Sequence, residues 1–244
     1  MMDFTFGIIT AGGQEERIDR VIDSIENENI PNYEVLIVGD SKINRDKTTV
    51  INFDENARKG WITRKKNLIT ENASYDYIVY LTDYVALCPG WYEGMLKFGN
   101  DFKVMISPMI DIDGDRFLDW VVWSNATNPL YPAHPYWSVS DYHQLRKILL
   151  PYSVTHMSKH QYISGAYWVS PKRFMEEFPF DENLLHRESE DVEWSFRVRD
   201  NHDFSINTHC KAQVISSKKW NVHPVDEGGM KIINSLNPNR KELK

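Results

Sequence analysis

The sequence predicts an α/β fold in which helices flank a mostly parallel central sheet that carries an aromatic-rich insertion. Short apolar runs at residues 4–10, 34–39 and 77–82 each have the length of a buried strand, and helical patterns separate them. Strands that alternate with helices are joined by crossover connections, which make a sheet parallel. Residues 111–161 depart from this alternation and are rich in Asp, Trp, Tyr, Pro and His, as expected of a long functional insertion.

Each element follows from a local pattern. The first strand, FTFGIIT, precedes a helix whose apolar residues recur at i, i+3, i+4 and i+7, and Pro31 ends that helix. The other first-half elements are strands at 34–39, 48–53, 77–82 and 104–110 and helices at 61–72 and 90–99. In the second half we expect strands at 162–170 and 209–216 and a helix at 186–199.

The composition is that of a single globular domain. The 244 residues are 41% hydrophobic and carry a net charge of −7, which excludes general nucleic-acid binding. We find no signal-peptide pattern, no apolar run that could span a membrane and, with two cysteines, no disulfide framework. We predict a cytoplasmic protein, compatible with peripheral membrane contact, with one domain at 1–224 and a polar tail at 225–244.

Polar residues stand at the ends of three predicted strands. Because ligands bind at the carboxyl ends of parallel strands, Thr10, Asp40 and Asp83 are candidate site residues. Asp40 can accept hydrogen bonds from a base or a ribose, or it can serve only a turn. Asp83 can bind Mg²⁺ or Mn²⁺ together with substrate phosphates, or it can be a structural acid at a strand end.

Five positive charges lie in or just before the helix predicted at 61–72. They are Arg58, Lys59, Arg64, Lys65 and Lys66. In an acidic chain such a cluster can bind a diphosphate through charge-assisted hydrogen bonds, although a solvated helix face is the alternative. We favour Arg64 and Lys66, followed by Asn67, as the diphosphate contacts.

The run HRESEDVEWSFRVR, residues 186–199, begins an amphipathic helix with two acids. Ser189 is the predicted N-cap, so Glu190 and Asp191 fall in the first turn, where the helix dipole favours negative charge. An ionised carboxylate at this place can accept a proton as a catalytic base. The alternative is that these acids only mark the start of the helix.

Two histidines are candidates to complete a metal site begun by Asp83. They are His223 and, competing with it, His209. The acidic run at 111–115 is not a calcium loop, because its glycine comes at the fourth position instead of the sixth. We predict an acidic turn there.

Taken in order, these segments resemble glycosyltransferase family 2, inverting enzymes of the GT-A (Rossmann-like) fold that use nucleotide-diphosphate sugars. The resemblance covers residues 4–110 and 162–224. FGIITAGGQEERIDRVIDSI looks like the family's first strand, loop and helix, and EVLIVGDS looks like its second strand. YIVYLTDYVAL is similar to the strand before the Asp-x-Asp metal motif, here reduced to Thr-Asp-Tyr. ISGAYWVSPKRFMEEFPFDENL resembles the acceptor loop, and SEDVEWSFRVR resembles the Glu-Asp element that supplies the base.

The resemblance implies roles for individual residues. In a nucleotide-sugar-binding half at about 1–110, the donor contacts would be Thr10, Ala11, Asp40, Arg64, Lys66, Asn67, Thr82 and Asp83. Asp83 and His223 would hold a divalent metal, Mn²⁺ or Mg²⁺. In the acceptor-side half at 162–224, Asp191 would be the base and Glu190 its neighbour. The acceptor contacts would be Trp91, Gly165, Ala166, Trp168 and Trp194.

The resemblance implies a transferase that moves a sugar from a nucleotide-diphosphate sugar, for which we favour a UDP-sugar, to a glycan or other hydroxyl acceptor with inversion. Two alternatives remain. The loop AGGQEER resembles that of sugar-phosphate nucleotidyltransferases, although Glu15 stands where that loop needs Gly. The reduced metal motif suits a non-catalytic sugar-binding module.

Overall fold

The computed structural model describes residues 2–125, 145–153, 161–186, 188–199, 201–217 and 223–224. For residues 122–125, 145–148 and 223–224 only the backbone is described. The predicted tail at 225–244 and much of the predicted insertion therefore lie outside the described residues.

Strands and helices alternate through the first hundred residues, as the sequence predicts. The strands are β1 (Phe4–Ile9), β2 (Tyr33–Val38), β3 (Thr48–Ile51), β4 (Tyr77–Thr82), β5 (Val85–Leu87), β6 (Val104–Ile106), β7 (Met109–Ile110), β8 (Val121–Asn125), β9 (Leu145–Leu149), β10 (Gln161–Tyr162), β11 (Tyr167–Pro171), β12 (Phe204–Ile206), β13 (Ala212–Val214) and β14 (His223–Pro224). The helices are α1 (Glu15–Glu26), α2 (Ile62–Asn72), α3 (Trp91–Phe98), α4 (Lys172–Glu177) and α5 (Glu190–Arg199).

The central sheet has seven strands in the order β12-β6-β11-β4-β1-β2-β3. Every neighbouring pair is parallel except the two pairs that involve β11. The predicted mostly parallel sheet with flanking helices is thus confirmed. Two smaller sheets accompany it, with the orders β10-β8-β9-β14 and β5-β13-β7.

Helices cover both faces of the central sheet. The apolar residues predicted to face inward from α1 are Ile18, Val21, Ile22 and Ile25, and all four are fully buried with side chains of β1. Burying each such side chain contributes roughly 1.5–3 kcal/mol. On the opposite face, α2, α4 and α5 contribute Ile69, Phe174 and Trp194 to a second cluster that includes Tyr80 of β4. The central strands β1 and β4 are therefore covered on both faces by described helices, and their ends remain as places where a ligand can approach.

Several predicted strands are divided or shorter than expected. The strand expected at 162–170 becomes β10 and β11, which belong to different sheets. The strand expected at 104–110 is divided at Pro108, which has no backbone N–H to donate, and its two parts join different sheets. The strand expected at 209–216 contracts to β13, because Asn207 accepts a hydrogen bond from the His209 N–H and holds a turn before it.

The acidic turn at 111–115 is confirmed, since Asp111 accepts hydrogen bonds from the N–H groups of residues 113 and 115.

Among the described residues, no helix has the length and apolar character needed to cross a membrane.

Candidate functional site

The carboxyl edge of the central sheet is the place where three chain segments meet. Strands β2 and β3 lie on one side of β1, and β4, the next strand of this sheet along the chain, lies on its other side. The order in which successive strands are placed therefore reverses between β1 and β4. At this edge the Asp83 N–H donates to the carbonyl of Ile9 at 3.2 Å, and the Thr82 N–H donates to the carbonyl of Ala166 at 3.1 Å. Open α/β sheets bind ligands in the crevice at such a reversal.

Asp83 is held by two side chains that come from the first strand and helix. The hydroxyl of Thr10 donates to its Oδ2 at 2.7 Å, and Nη2 of Arg17 lies 3.3 Å from its Oδ1. The Asp83 side chain is 11% exposed and that of Arg17 is 33% exposed, so the pair reaches the surface through Arg17. The predicted candidates Thr10 and Asp83 are thus in contact.

Gly39 and Asp40 directly follow β2, and they lie close to Thr10 and to Gly12 in the loop after β1. Gly39, at φ 149°, packs so closely that a Cβ would lie 2.2 Å from the Thr10 carbonyl oxygen, so only glycine fits there. A Cβ on Gly12 would lie 3.4 Å from Oδ2 of Asp40. Asp40 and Ala11 are exposed, which leaves both accessible to a ligand.

The acidic pair at the start of α5 has two different environments. Glu190 is buried and forms an ion pair with Lys66, whose Nζ lies 3.1 Å from its Oε1. Asp191 is only partly buried, and it accepts the Gly165 N–H on Oδ2 at 3.0 Å and the Val192 N–H on Oδ1 at 2.9 Å. These two hydrogen bonds orient the Asp191 carboxylate relative to Gly165 and to the first turn of α5.

Gly165 is the point where these charged groups converge. A Cβ at this position would lie 3.1 Å from Oε1 of Glu190, 3.2 Å from Oδ2 of Asp191 and 3.2 Å from Nζ of Lys66. A larger residue at this position would require these three charged groups to move by a few tenths of an ångström.

The two basic side chains predicted to contact the diphosphate, Arg64 and Lys66, both have carboxylate partners within the protein. Lys66 is 1% exposed, and its Nζ lies over the rings of Trp168 and Phe180 as well as beside Glu190. Arg64 pairs with Glu71 and Glu182, and the hydrogen bond to Glu71 raises the pKa of Arg64, so it stays charged and its charge is balanced by these two carboxylates. A buried cation such as Lys66 must be paired, and the partly exposed Arg64 is held by two carboxylates, so the role of both in binding a diphosphate stays a prediction.

Asn67 has a structural role in place of the predicted donor contact. Its amide nitrogen donates to the Phe180 carbonyl at 3.0 Å and its Oδ1 accepts the Phe180 N–H at 2.9 Å. The hydroxyl of Thr63 donates to the carbonyl of Leu184 at 2.8 Å. Helix α2 thereby fastens the segment that leads into α5, and so positions the acidic pair.

The three tryptophans expected at the acceptor site are fully buried. Trp91 donates from Nε1 to the hydroxyl of Tyr167 at 2.8 Å, and Trp168 stacks on Tyr80 with ring centroids 4.3 Å apart. Trp194 stacks on Phe180. Rings without exposed faces cannot stack on an acceptor, so in this structure these residues are core, and only Gly165 and Ala166 of the predicted acceptor contacts lie at the sheet edge.

The described residues do not fit a divalent cation at Asp83. The Asp83 carboxylate is already paired with a cation, because Nη2 of Arg17 lies 3.3 Å from its Oδ1. Two unit charges 4 Å apart interact by ~4 kcal/mol at an effective dielectric of 20, so a divalent ion beside Arg17 would meet about twice that repulsion. Nor does the described part of the chain contain a group of three or more His, Cys, Asp or Glu residues that could hold a metal.

The two candidate histidines do not change this result. The backbone of His223 begins β14 and pairs with Ile148 of β9, while its side chain lies outside the description. His209 lies in an exposed turn whose backbone packs against Gly94 of α3. The metal role of His223 therefore stays a prediction.

Sequence reasoning missed Arg17 as a site residue. It is a basic residue in the first turn of α1, immediately after the loop that leaves β1, where the neighbouring first-turn residues Glu15 and Glu16 are acidic. The first turn of a helix favours acidic residues, so a basic residue there is unusual. This was the feature of the sequence that could have marked Arg17 as a candidate. Lys65, which we did not favour, is also close, since its Nζ donates to the Thr10 carbonyl at 2.7 Å and pairs with Glu55.

Comparison with known proteins establishes the fold. No family model and no curated protein sequence matches the chain. Among solved structures, the chain superposes on GalNAc-T7, crystallised with UDP, GalNAc and Mn²⁺, with a TM-score of 0.63 and 11% identity over 98% of this chain and 48% of that one. It matches S. aureus TarS with a TM-score of 0.57 and 13% identity over 88% of this chain and 37% of that one.

A second structure of S. aureus TarS, spanning residues 1–349, gives a TM-score of 0.53 and 12% identity over 86% of this chain and 60% of that one. The chain thus spans between about a third and three-fifths of the length of these structures. At this level of identity the similarity shows the fold, which is the GT-A fold of glycosyltransferases. The assignment to family 2 stays a prediction.

Proposed function

We propose that the protein is a glycosyltransferase that moves a sugar from a nucleotide-diphosphate sugar to an acceptor hydroxyl, with inversion and with Asp191 as the general base. The observation that carries the proposal is a path of two hydrogen bonds across the sheet edge. Thr82 donates to the Ala166 carbonyl, and Gly165, the residue before Ala166, donates to Asp191. The strand-end acid Asp83 and the partly exposed acid Asp191 therefore flank one short backbone segment.

The donor side of the proposed site is the crevice between β1 and β4. Asp40 and Ala11 are exposed beside it and are suited to contact the nucleoside, while Asp83 and Thr10 form its floor. GalNAc-T7, which shares the fold, was crystallised with UDP, and this supports a UDP-sugar as the donor. Because the described residues do not fit a metal, no step of the proposed reaction depends on one.

The proposed reaction needs one base on the acceptor side. The acceptor oxygen attacks the anomeric carbon while its proton passes to the Asp191 carboxylate. The bond from that carbon to the diphosphate oxygen breaks, and its electron pair leaves with the diphosphate. General-base catalysis of this kind contributes roughly 10²- to 10⁴-fold. Glu190, neutralised by Lys66, is a positioning residue that keeps α5 and Gly165 in place.

The test is a screen of UDP- and GDP-sugars that measures nucleotide release and sugar transfer by wild-type protein and by Asp191→Asn. We expect the variant to lose roughly 10²- to 10⁴-fold in turnover while its affinity for the nucleotide changes little. Glu193→Gln is the matched control, because Glu193 lies on the same helix and pairs with Arg197 on its outer side. Near-normal turnover of Asp191→Asn would refute the assignment, and a product that retains the donor's anomeric configuration would refute inversion.

The same screen separates the two alternatives. Release of pyrophosphate from a nucleoside triphosphate and a sugar phosphate would favour a nucleotidyltransferase. Binding of donor sugars without turnover under every condition would favour a sugar-binding module. The glycan acceptor and the cytoplasmic location stay predictions.

A further inference from the structure

We propose that Arg17 is the cation that binds the donor diphosphate, and that it does so in the place where a divalent metal would otherwise bind Asp83. This role rests on the proposed transferase function and specifies how the leaving group is neutralised. Arg17 thereby gains a binding role that its sequence position alone did not suggest.

Arg17 stands where a diphosphate would lie. It comes from the first turn of α1, and its Nη2 lies 3.3 Å from Oδ1 of Asp83 at the reversal point of the sheet. Thr10 occupies the other oxygen of the same carboxylate. The strand-end acid therefore orients a guanidinium, and that guanidinium stands at the edge where α/β sheets bind their ligands.

The guanidinium of Arg17 also has a hydrogen-bond donor that no described residue accepts from. A guanidinium has five N–H donors and no acceptor, and its planar fork matches two phosphate oxygens at once. The Nε atom of Arg17 is buried and has no hydrogen-bond partner within the described ranges of the chain. A buried donor without a partner is costly, and a phosphate oxygen is an acceptor that would satisfy it.

The other cations of the neighbourhood are already engaged. Lys66 is buried against Glu190, and Arg64 is held by Glu71 and Glu182. Lys65 is 2% exposed and its Nζ is bonded to the Thr10 carbonyl and to Glu55. Of these basic side chains at the site, Arg17 is the one that reaches Asp83, and its side chain as a whole is one-third exposed.

The experiment measures binding of UDP and of GDP by titration calorimetry, with chelator or with Mn²⁺, for wild type, Arg17→Ala, Arg17→Lys and Arg20→Ala. Arg20 is an exposed residue of the same helix, so its substitution removes the same charge away from the site. We expect chelator to change the wild-type dissociation constant by less than about threefold. Loss of a charged hydrogen-bond donor in Arg17→Ala should weaken binding about 10- to 100-fold.

Arg17→Lys keeps the charge without the fork, so we expect an intermediate affinity, and Arg20→Ala should bind as wild type does. Thermal unfolding of each variant, without nucleotide, identifies any that fail to fold. If Arg17→Ala fails to fold, two measurements still test the proposal. They are the affinity of the wild type with chelator compared with its affinity with Mn²⁺, and the affinity of Arg17→Lys.

Wild-type binding that disappears with chelator and returns with Mn²⁺ overturns the inference, and so does unchanged affinity of folded Arg17→Ala. In the first case nucleotide binds when Mn²⁺ is present, and in the second it binds to the variant as well. The transferase proposal therefore stands in both cases. If neither UDP nor GDP binds under any condition, the donor class is wrong and both proposals fall.

Discussion

Nζ of Lys66 lies 3.1 Å from Oε1 of Glu190, and both side chains are less than a tenth exposed. The ammonium also lies over two aromatic rings, those of Trp168 and Phe180. This buried ion pair joins α2 to the first turn of α5. It keeps Glu190, one member of the acidic pair, buried in an ion pair, whereas Asp191, the other member, is partly exposed.

Removing one partner of this ion pair should destabilise the fold. Lys66→Met leaves Glu190 buried without its cation, and breaking a buried pair in this way costs ~3–5 kcal/mol. The double variant Lys66→Met with Glu190→Gln leaves no unpaired charge and should recover part of that loss. Urea unfolding of the two single variants and the double variant measures the coupling; additive losses would contradict the pairing.

Gly165→Ala should damage the site because its methyl group would crowd three charged groups. The nearest of them, Oε1 of Glu190, would be 3.1 Å away. We expect a lower free energy of unfolding and a turnover per folded molecule reduced at least about tenfold, since Asp191 is displaced. Gly94→Ala is the control, because its Cβ would meet the His209 carbonyl oxygen at 2.5 Å, among residues that are not part of the site. It should destabilise the protein while folded molecules keep their turnover.

Trp91→Phe should affect stability and not the reaction. The substitution removes the hydrogen bond from Nε1 to the Tyr167 hydroxyl, which keeps the Ser107 hydroxyl as a donor, so the lost bond costs about 0.5–1.5 kcal/mol. The smaller ring also leaves a cavity, which destabilises the fold further. Because Trp91 is fully buried, we expect unchanged nucleotide affinity and unchanged transfer per folded molecule. A selective rise in the acceptor KM would restore the acceptor role that burial argues against.

Stability should fall as the pH rises above about 9. Burial raises the pKa of Cys210 to about 12, and burial also raises the pKa of Tyr80 and of Tyr167. In the unfolded chain these groups lose their protons from about pH 9 to 10, while the folded protein retains them. The unfolded state then binds fewer protons, so the free energy of unfolding decreases with pH in this window and is unaffected by these groups below it.

Urea midpoints measured between about pH 7.5 and 10.5 check this expectation. Tyr167→Phe removes one of the buried hydroxyls and should give a shallower decline above about pH 10 than wild type gives. A midpoint that is independent of pH across the range would contradict the assignment.

The sequence by itself determined the α/β class, the strand ends that carry Thr10, Asp40 and Asp83, and the helix start that carries the acidic pair. These features follow from local periodicity and from the chain order of strands and helices, which short-range sterics and burial impose. The small residue at Gly165 was likewise predictable, although the reason for it, three charged groups that converge on one Cα, was not.

Only the tertiary structure decided which charges face the site. Lys66 and Arg64 were predicted to contact the diphosphate because they belong to a basic cluster in an acidic chain, yet each has a carboxylate partner brought to it by the fold. Arg17 reaches Asp83, 66 positions along the chain, because β1 and β4 are neighbours in the sheet. Ion pairs and burial depend on distances between residues remote in sequence, and no local pattern encodes those distances.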